Sequence, residues 1–165
     1  MRPLIGALLL AAGLASGAPA QTTPPSLEFL GLRPGMPEAE MADVISDLGG
    51  TLRCSATTEP RLRACSATIP DPDAGTLTVT ASMVDREVGI ALVAATLAAT
   101  RIGDWHGALA QRYGDVVVQR RPGQESFQWI RDRRMIRLTV RREGGGLTAS
   151  VSLVDGRLLD SLPAP

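Results

Sequence analysis

The sequence predicts an α+β fold: two tandem helix-plus-four-strand antiparallel meander units packed as one compact protein. Two patterns point there. Apolar residues recur at helical spacing twice, over residues 37–48 and 100–113, and each run ends at a glycine. Behind each helix come four segments in which apolar and polar residues alternate between turn-forming residues, as strands buried on one face do. A unit of about 60 residues buries only a marginal core, so the two are expected to share one. With 165 residues, 44% of them hydrophobic, the chain falls outside the disordered and fibrous classes.

The first element is an export signal. Met1 and Arg2 supply positive charge, Leu4 to Leu14 a short apolar run, and Ala18-Pro19-Ala20 the small residues read by a signal peptidase. Residues 1–20 are therefore expected to be a signal peptide cleaved after Ala20, which makes the chain periplasmic or secreted. A membrane anchor is the alternative, but the run falls short of the roughly 20 residues a spanning helix needs. No Cys follows it to carry a lipid. The signal style and the all-Arg basic composition suggest a bacterial origin. Residues 21–26, with their Thr-Thr-Pro-Pro, read as an extended lead-in, 27–99 as the first unit and 100–165 as the second.

In the first unit Pro37 opens a helix whose Met41, Val44, Ile45 and Leu48 share a face, with Gly49-Gly50 beyond its last turn. Thr51 to Ile69 reads as a hairpin centred between Glu59 and Pro60. That centre opposes Cys54 to Cys65 and Leu52 to Ala67. Exported thiols so placed are expected to form a disulfide, stabilising by about 3 kcal/mol in the chain-entropy model. A redox or metal pair is the alternative, and it lacks both a Cys-x-x-Cys spacing and a companion His. Thr76 to Met83 alternates strictly, and a turn centred between Asp85 and Arg86 would oppose Met83 to Val88, Ala81 to Ile90 and Val79 to Leu92. The Ala content of Val88 to Leu97 would also suit a helix, but this register favours strand.

The second unit repeats the order. Ile102, Trp105, Leu109 and Tyr113 share a helical face, with Thr100 as cap and Gly114 as terminator. Pro122-Gly123 suits a type II turn and opposes Val118 to Phe127 and Val116 to Trp129. The last strands, Met135 to Arg142 and Leu147 to Val154, join through Glu143-Gly144-Gly145-Gly146.

The stretch Gly31-Leu32-Arg33-Pro34-Gly35-Met36, a short helix ended by glycine, a disulfide-closed hairpin and a meander, with the layout then repeated, resembles the β-lactamase-inhibitor-protein-like fold. Outer-membrane assembly lipoproteins of the SmpA/OmlA type are similar to one such unit. The resemblance covers the layout of residues 27–162, and its local motif is Gly-x-x-x-Gly-Met before the helix. It implies a non-enzymatic protein that binds other proteins with sheet surface and loops. The chain departs from the pattern in carrying one Cys pair, with Gln119 and Ile130 near the equivalent places in the second unit. It also lacks the inhibitors' exposed aromatic anchors and the lipoproteins' lipid-bearing Cys.

Chemistry has little raw material. There is one His and no Lys, and no catalytic, metal-ligating or cofactor-binding residue is expected. His106 should lie beside the apolar helix face, without a nucleophile that the sequence can point to. Asp71-Pro72-Asp73 lacks the further carboxylates of a calcium loop and reads as a polar turn. Gly144-Gly145-Gly146 joins strands, opens no helix, and so is no phosphate cradle.

Charge is zero overall but divided: residues 21–100 hold five Arg and ten acidic groups, and residues 101–165 eleven Arg and seven. Zero net charge argues against nucleic acid as a partner. Alternation puts Arg137, Thr139 and Arg141 on the face opposite Ile136, Leu138 and Val140, with Thr148, Ser150 and Ser152 across the hairpin. Such a face is either merely solvated or a docking surface for an acidic envelope protein or an anionic polymer. Arg131, Arg134, Arg137, Arg141, Thr139 and Ser150 are the candidate partner-binding residues. Glu59, Pro60 and Arg61 are the candidate loop if the protein instead inhibits an envelope hydrolase. The expectation is thus a non-enzymatic, monomeric protein-binding module with no transmembrane segment in its mature form.

Overall fold

Alternating apolar residues assemble all eight strands into one antiparallel sheet ordered β1-β2-β3-β4-β8-β7-β6-β5. In chain order the elements are α1 (Glu38–Asp47), β1 (Arg53–Ala56), β2 (Leu62–Asp71), β3 (Gly75–Val84), β4 (Glu87–Thr96), α2 (Ala99–Tyr113), β5 (Gln119–Arg121), β6 (Gln124–Arg131), β7 (Arg134–Glu143), β8 (Gly146–Asp155) and α3 (Gly156–Asp160). This computed structural model describes residues 25–143 and 146–163. The expected signal peptide, most of the expected 21–26 lead-in and the tip glycines Gly144 and Gly145 lie outside the described residues. The described residues form a compact α+β protein with one sheet and three helices. Both sheet edges are short strands, of four and three residues, which limits the unpaired backbone open to another chain.

One face of the sheet carries the core. Val79, Met83, Val93, Val151, Leu153, Ile136 and Leu138 are fully buried there, beneath Met41 and Ile45 of α1 and Ile102, Trp105, Leu109 and Tyr113 of α2. These are the helical residues that the 3.6-residue periodicity selects. A third contributor is less visible in the sequence: Leu27, Phe29, Leu32 and Met36, from the irregular segment before α1, are all buried. Phe29 meets Trp105 edge-on at 4.9 Å, and the Tyr113 hydroxyl accepts the Glu28 N–H at 2.7 Å. A segment assigned to the first half is therefore anchored on the helix of the second. Its other end is bonded to β4 through Gly35 N–H to Val88 O and Val88 N–H to Met36 O.

Cys54 and Cys65 are directly opposed and joined by a disulfide, with Cα atoms 4.0 Å apart. Four local expectations are corrected. Met83 does oppose Val88, but the register then shifts, so Ala81 meets Ala91 and Val79 meets Val93. Gly89 is the extra residue of this bulge, and a Cβ there would lie 2.9 Å from Val84 Cγ2. Ile90 and Leu92, expected in the core, consequently turn to the other face.

The second correction is that α2 begins at Ala99 with Ala98 as its N-cap, so Thr100 lies inside the first turn. The third is that β5 keeps the expected register but runs only from Gln119 to Arg121, leaving Val116 and Val118 outside any strand and Val117 exposed. Last, α3 follows β8 directly, capped by Asp155, where no element was expected.

Candidate functional site

The second face of the sheet lies opposite the one that α1 and α2 cover. Directly opposed residues form rows across it. One runs Arg53, Ser66, Thr80, Leu92, Ser152, Arg137, Gln128 from β1 to β6. The next runs Ser55, Ala64, Ser82, Ile90, Val154, Met135, Ile130, and so turns apolar from β4 onward. Ile90 is 37% and Ile130 63% exposed. On the other side of the first row lie Thr68, Thr78, Ala94, Ser150, Thr139 and Ser126. Over β1 to β4 the surface hollows into a concavity of about 650 Å³, lined by Ser55, Ser66, Thr80, Ser82, Ile90 and Leu92 among others. The bulge at Gly89 thus has a consequence here, because it delivers Ile90 and Leu92 to this surface.

The electrostatics of the face follow from which arginines have partners. Arg33, Arg61, Arg63, Arg86, Arg101, Arg112, Arg120, Arg133, Arg134 and Arg157 each lie within ion-pair distance of a carboxylate. Among the described residues, the open-face arginines Arg53, Arg121, Arg137 and Arg141 do not. Arg137 instead donates from Nε and Nη2 to Gln128 Oε1 at 3.1 and 2.7 Å, and Arg141 donates from Nε to Gln124 Oε1 at 3.0 Å. A carboxamide oxygen orients a guanidinium without neutralising it, leaving its remaining N–H groups for an anion.

The structure brings together Arg137, Arg141, Thr139 and Ser150 of the candidate binding set, with Thr139 directly opposite Ser150. It places the other two elsewhere. Arg131 lies on the core side, its guanidinium 5.4 Å from the Tyr113 ring centroid and donating to the Tyr113 carbonyl. Arg134 is paired with Asp155 at 2.7 Å. Both follow from strand alternation, since residues at odd positions of β6 and even positions of β7 face the core. Glu59 and Pro60 sit in the β1–β2 turn. Arg61, at its end, is tied to Asp85 of the β3–β4 turn at 2.5 Å and to the Ser161 carbonyl beyond α3 at 2.8 Å. The bidentate Asp85 carboxylate raises the Arg61 pKa, and Arg61 in turn lowers that of Asp85.

His106 lies half-buried, its ring 4.1 Å from that of Phe127, and it lines a different groove from the open face. Asp71 accepts the N–H groups of Asp73 and Ala74, the geometry of a polar turn. Among the described residues no three His, Cys, Asp or Glu side chains converge as metal ligands would, and no helix is long and apolar enough to cross a membrane.

Compared with protein-family models, with curated proteins and with solved structures, the chain matches none.

Proposed function

We propose that the chain is an exported, non-enzymatic module that binds an acidic envelope protein with the open face of its sheet. The observation that carries this reading is the pairing pattern of the arginines. Carboxylates are spent on arginines elsewhere, while Arg137 and Arg141 are held by glutamines and have no carboxylate partner among the described residues. Beside them the row Ile90, Val154, Met135, Ile130, exposed at its two ends and half-buried between them, supplies apolar contact. Apolar anchors flanked by unpaired cations suit a protein surface better than a uniformly charged polymer. Export is supported by the Cys54–Cys65 disulfide together with the N-terminal sequence pattern.

Duplication of a helix-and-four-strand unit belongs to the same reading. It is supported by the strand order, in which the last strands of the two series, β4 and β8, meet at the centre. A second role, inhibition of an envelope hydrolase through the β1–β2 turn, is favoured by the bonds from Arg61 that hold the turn in one shape. The test is capture of envelope proteins on the oxidised protein in low and moderate salt, with Arg137→Glu/Arg141→Glu as control bait. A captured partner, purified, should bind at least tenfold more weakly to the double mutant and in moderate salt. Equal retention by the mutant overturns the face as the binding site, and truncation of Glu59 and Arg61 then tests the turn.

A further inference from the structure

A second concavity, of about 530 Å³, runs on the core side between α2 and the ends of the outer strands. α2 buries Ile102, Trp105, Leu109 and Tyr113; it lines this groove with Ile102 and His106 and, before and between them, with only Ala99 and Gly103. Side chains this small leave a strip of core-type sheet uncovered, so Phe127, Val140 and Leu147 remain only partly buried. His106, stacked on Phe127, makes the groove wall aromatic. Gly103 has no local reason to be glycine. Nothing lies within 4 Å of where its Cβ would stand, and glycine is among the least favourable residues inside a helix.

The polar end of the groove is cationic. Arg120 is neutralised by Glu125, but Arg142, directly opposite Leu147, has no carboxylate partner among the described residues, and Arg121 and Arg141, whose side chains alternate to the open face, add their charge at the rim of the same end. A neutral ligand would leave these charges unused, a cation would be repelled, and a polyanion has no need of the apolar floor. The volume suits a single small molecule. We propose that this groove binds a small amphipathic anion, an acyl or aryl chain ending in one carboxylate, with its apolar part on Phe127, Val140 and Leu147 and its carboxylate at Arg142.

Dodecanoate is the probe, titrated into the oxidised protein by calorimetry, with dodecanol and dodecyltrimethylammonium for comparison. His106 is the chain's sole histidine and reports on the groove through its imidazole NMR signal. Dodecanoate is expected to bind and to shift that signal, with dodecanol at least about tenfold weaker and the cation weaker still. Gly103→Leu should fill the groove and abolish binding while leaving thermal stability unchanged or raised, so that loss of binding cannot be loss of fold. Arg142→Gln should weaken dodecanoate about tenfold and leave dodecanol unaffected. Absence of dodecanoate binding, equal binding of dodecanol, an unmoved His106 signal or full binding by Gly103→Leu would each overturn the proposal.

Discussion

Arg134 donates from Nε to Oδ2 of Asp155 at 2.7 Å, and this carboxylate, 1% exposed, is the most deeply buried charged group among the described residues. Its other oxygen accepts the N–H groups of Arg157 and Leu158 and so starts α3. One carboxylate thus ties the sheet's seventh strand, the end of its eighth and the C-terminal helix together. Burial by itself would raise the Asp155 pKa. Hydrogen bonds from Arg134 and Arg157, the Arg134 charge and the Leu158 amide outweigh it and hold the group below the usual carboxylate value. A depressed native pKa adds stability that is complete above the unfolded value near 4 and is lost as pH falls through the native value. Asp155→Asn should therefore cost about 2 kcal/mol at pH 7, discounted because Arg134 is partly exposed, and progressively less as pH falls below the unfolded value near 4. Urea melts of both proteins across that range measure it.

Gly35 closes over the same pair. Its φ is +76°, and a Cβ would stand 2.7 Å from both Arg134 Nη2 and Asp155 Oδ2. Gly35→Ala should destabilise by about 2 kcal/mol, through left-handed strain and displacement of the ion pair. In an Asp155→Asn background the displacement component is already gone. The two costs should then fall short of additive by at least about 0.5 kcal/mol in a double-mutant cycle. Strict additivity would mean that the glycine acts only through its own backbone.

The disulfide ties an edge strand whose side chains are almost all exposed or half-buried. Cys54→Ser/Cys65→Ser should cost about 3 kcal/mol in the chain-entropy model. The loss should appear first in β1, because β2 keeps ten paired residues on its other side. Hydrogen exchange should quicken at β1 amides well before those of β3, β4 and β8. Uniform quickening across the sheet would instead mean that the bond stabilises only the global fold.

Alternation and turn chemistry made the strands, the Cys54–Cys65 opposition and the Arg137–Thr139–Arg141 face legible in advance. The reason is geometric, since side chains of period two leave no freedom once one face is buried. The bulge at Gly89 was not legible. Val88-Gly89-Ile90 alternates acceptably in either register, and only the crowding of Val84 against Gly89 shows which one is adopted. Nor did local pattern expose the segment from Leu27 to Met36, because its burial depends on Trp105 and Tyr113, some 80 residues further along. Of the candidate binding residues, Arg131 and Arg134 occupy core-side positions of β6 and β7. The alternation that sets Arg137 on the open face sets both of them on the core side.

Tyr113 is the anchor of that long-range contact. Its hydroxyl accepts the Glu28 N–H and faces the Ser26 and Glu28 carbonyls at 3.0 Å, while its ring is buried between Arg112 and Arg131. Tyr113→Phe keeps the ring but leaves the Glu28 amide unpaired, which should cost about 1–2 kcal/mol and loosen residues 25–30 without disturbing the sheet. Burial raises the Tyr113 pKa, more than the Glu28 amide and the two flanking arginines lower it. A raised native pKa contributes stability that is whole below the unfolded value near 10 and is lost as pH rises through the native one. The wild-type protein should accordingly lose its advantage over Tyr113→Phe as pH rises beyond about 10. Paired urea melts at pH 8 and pH 11 read this directly. A gap that stays constant across that interval would place the hydroxyl in water rather than in the contact with Glu28.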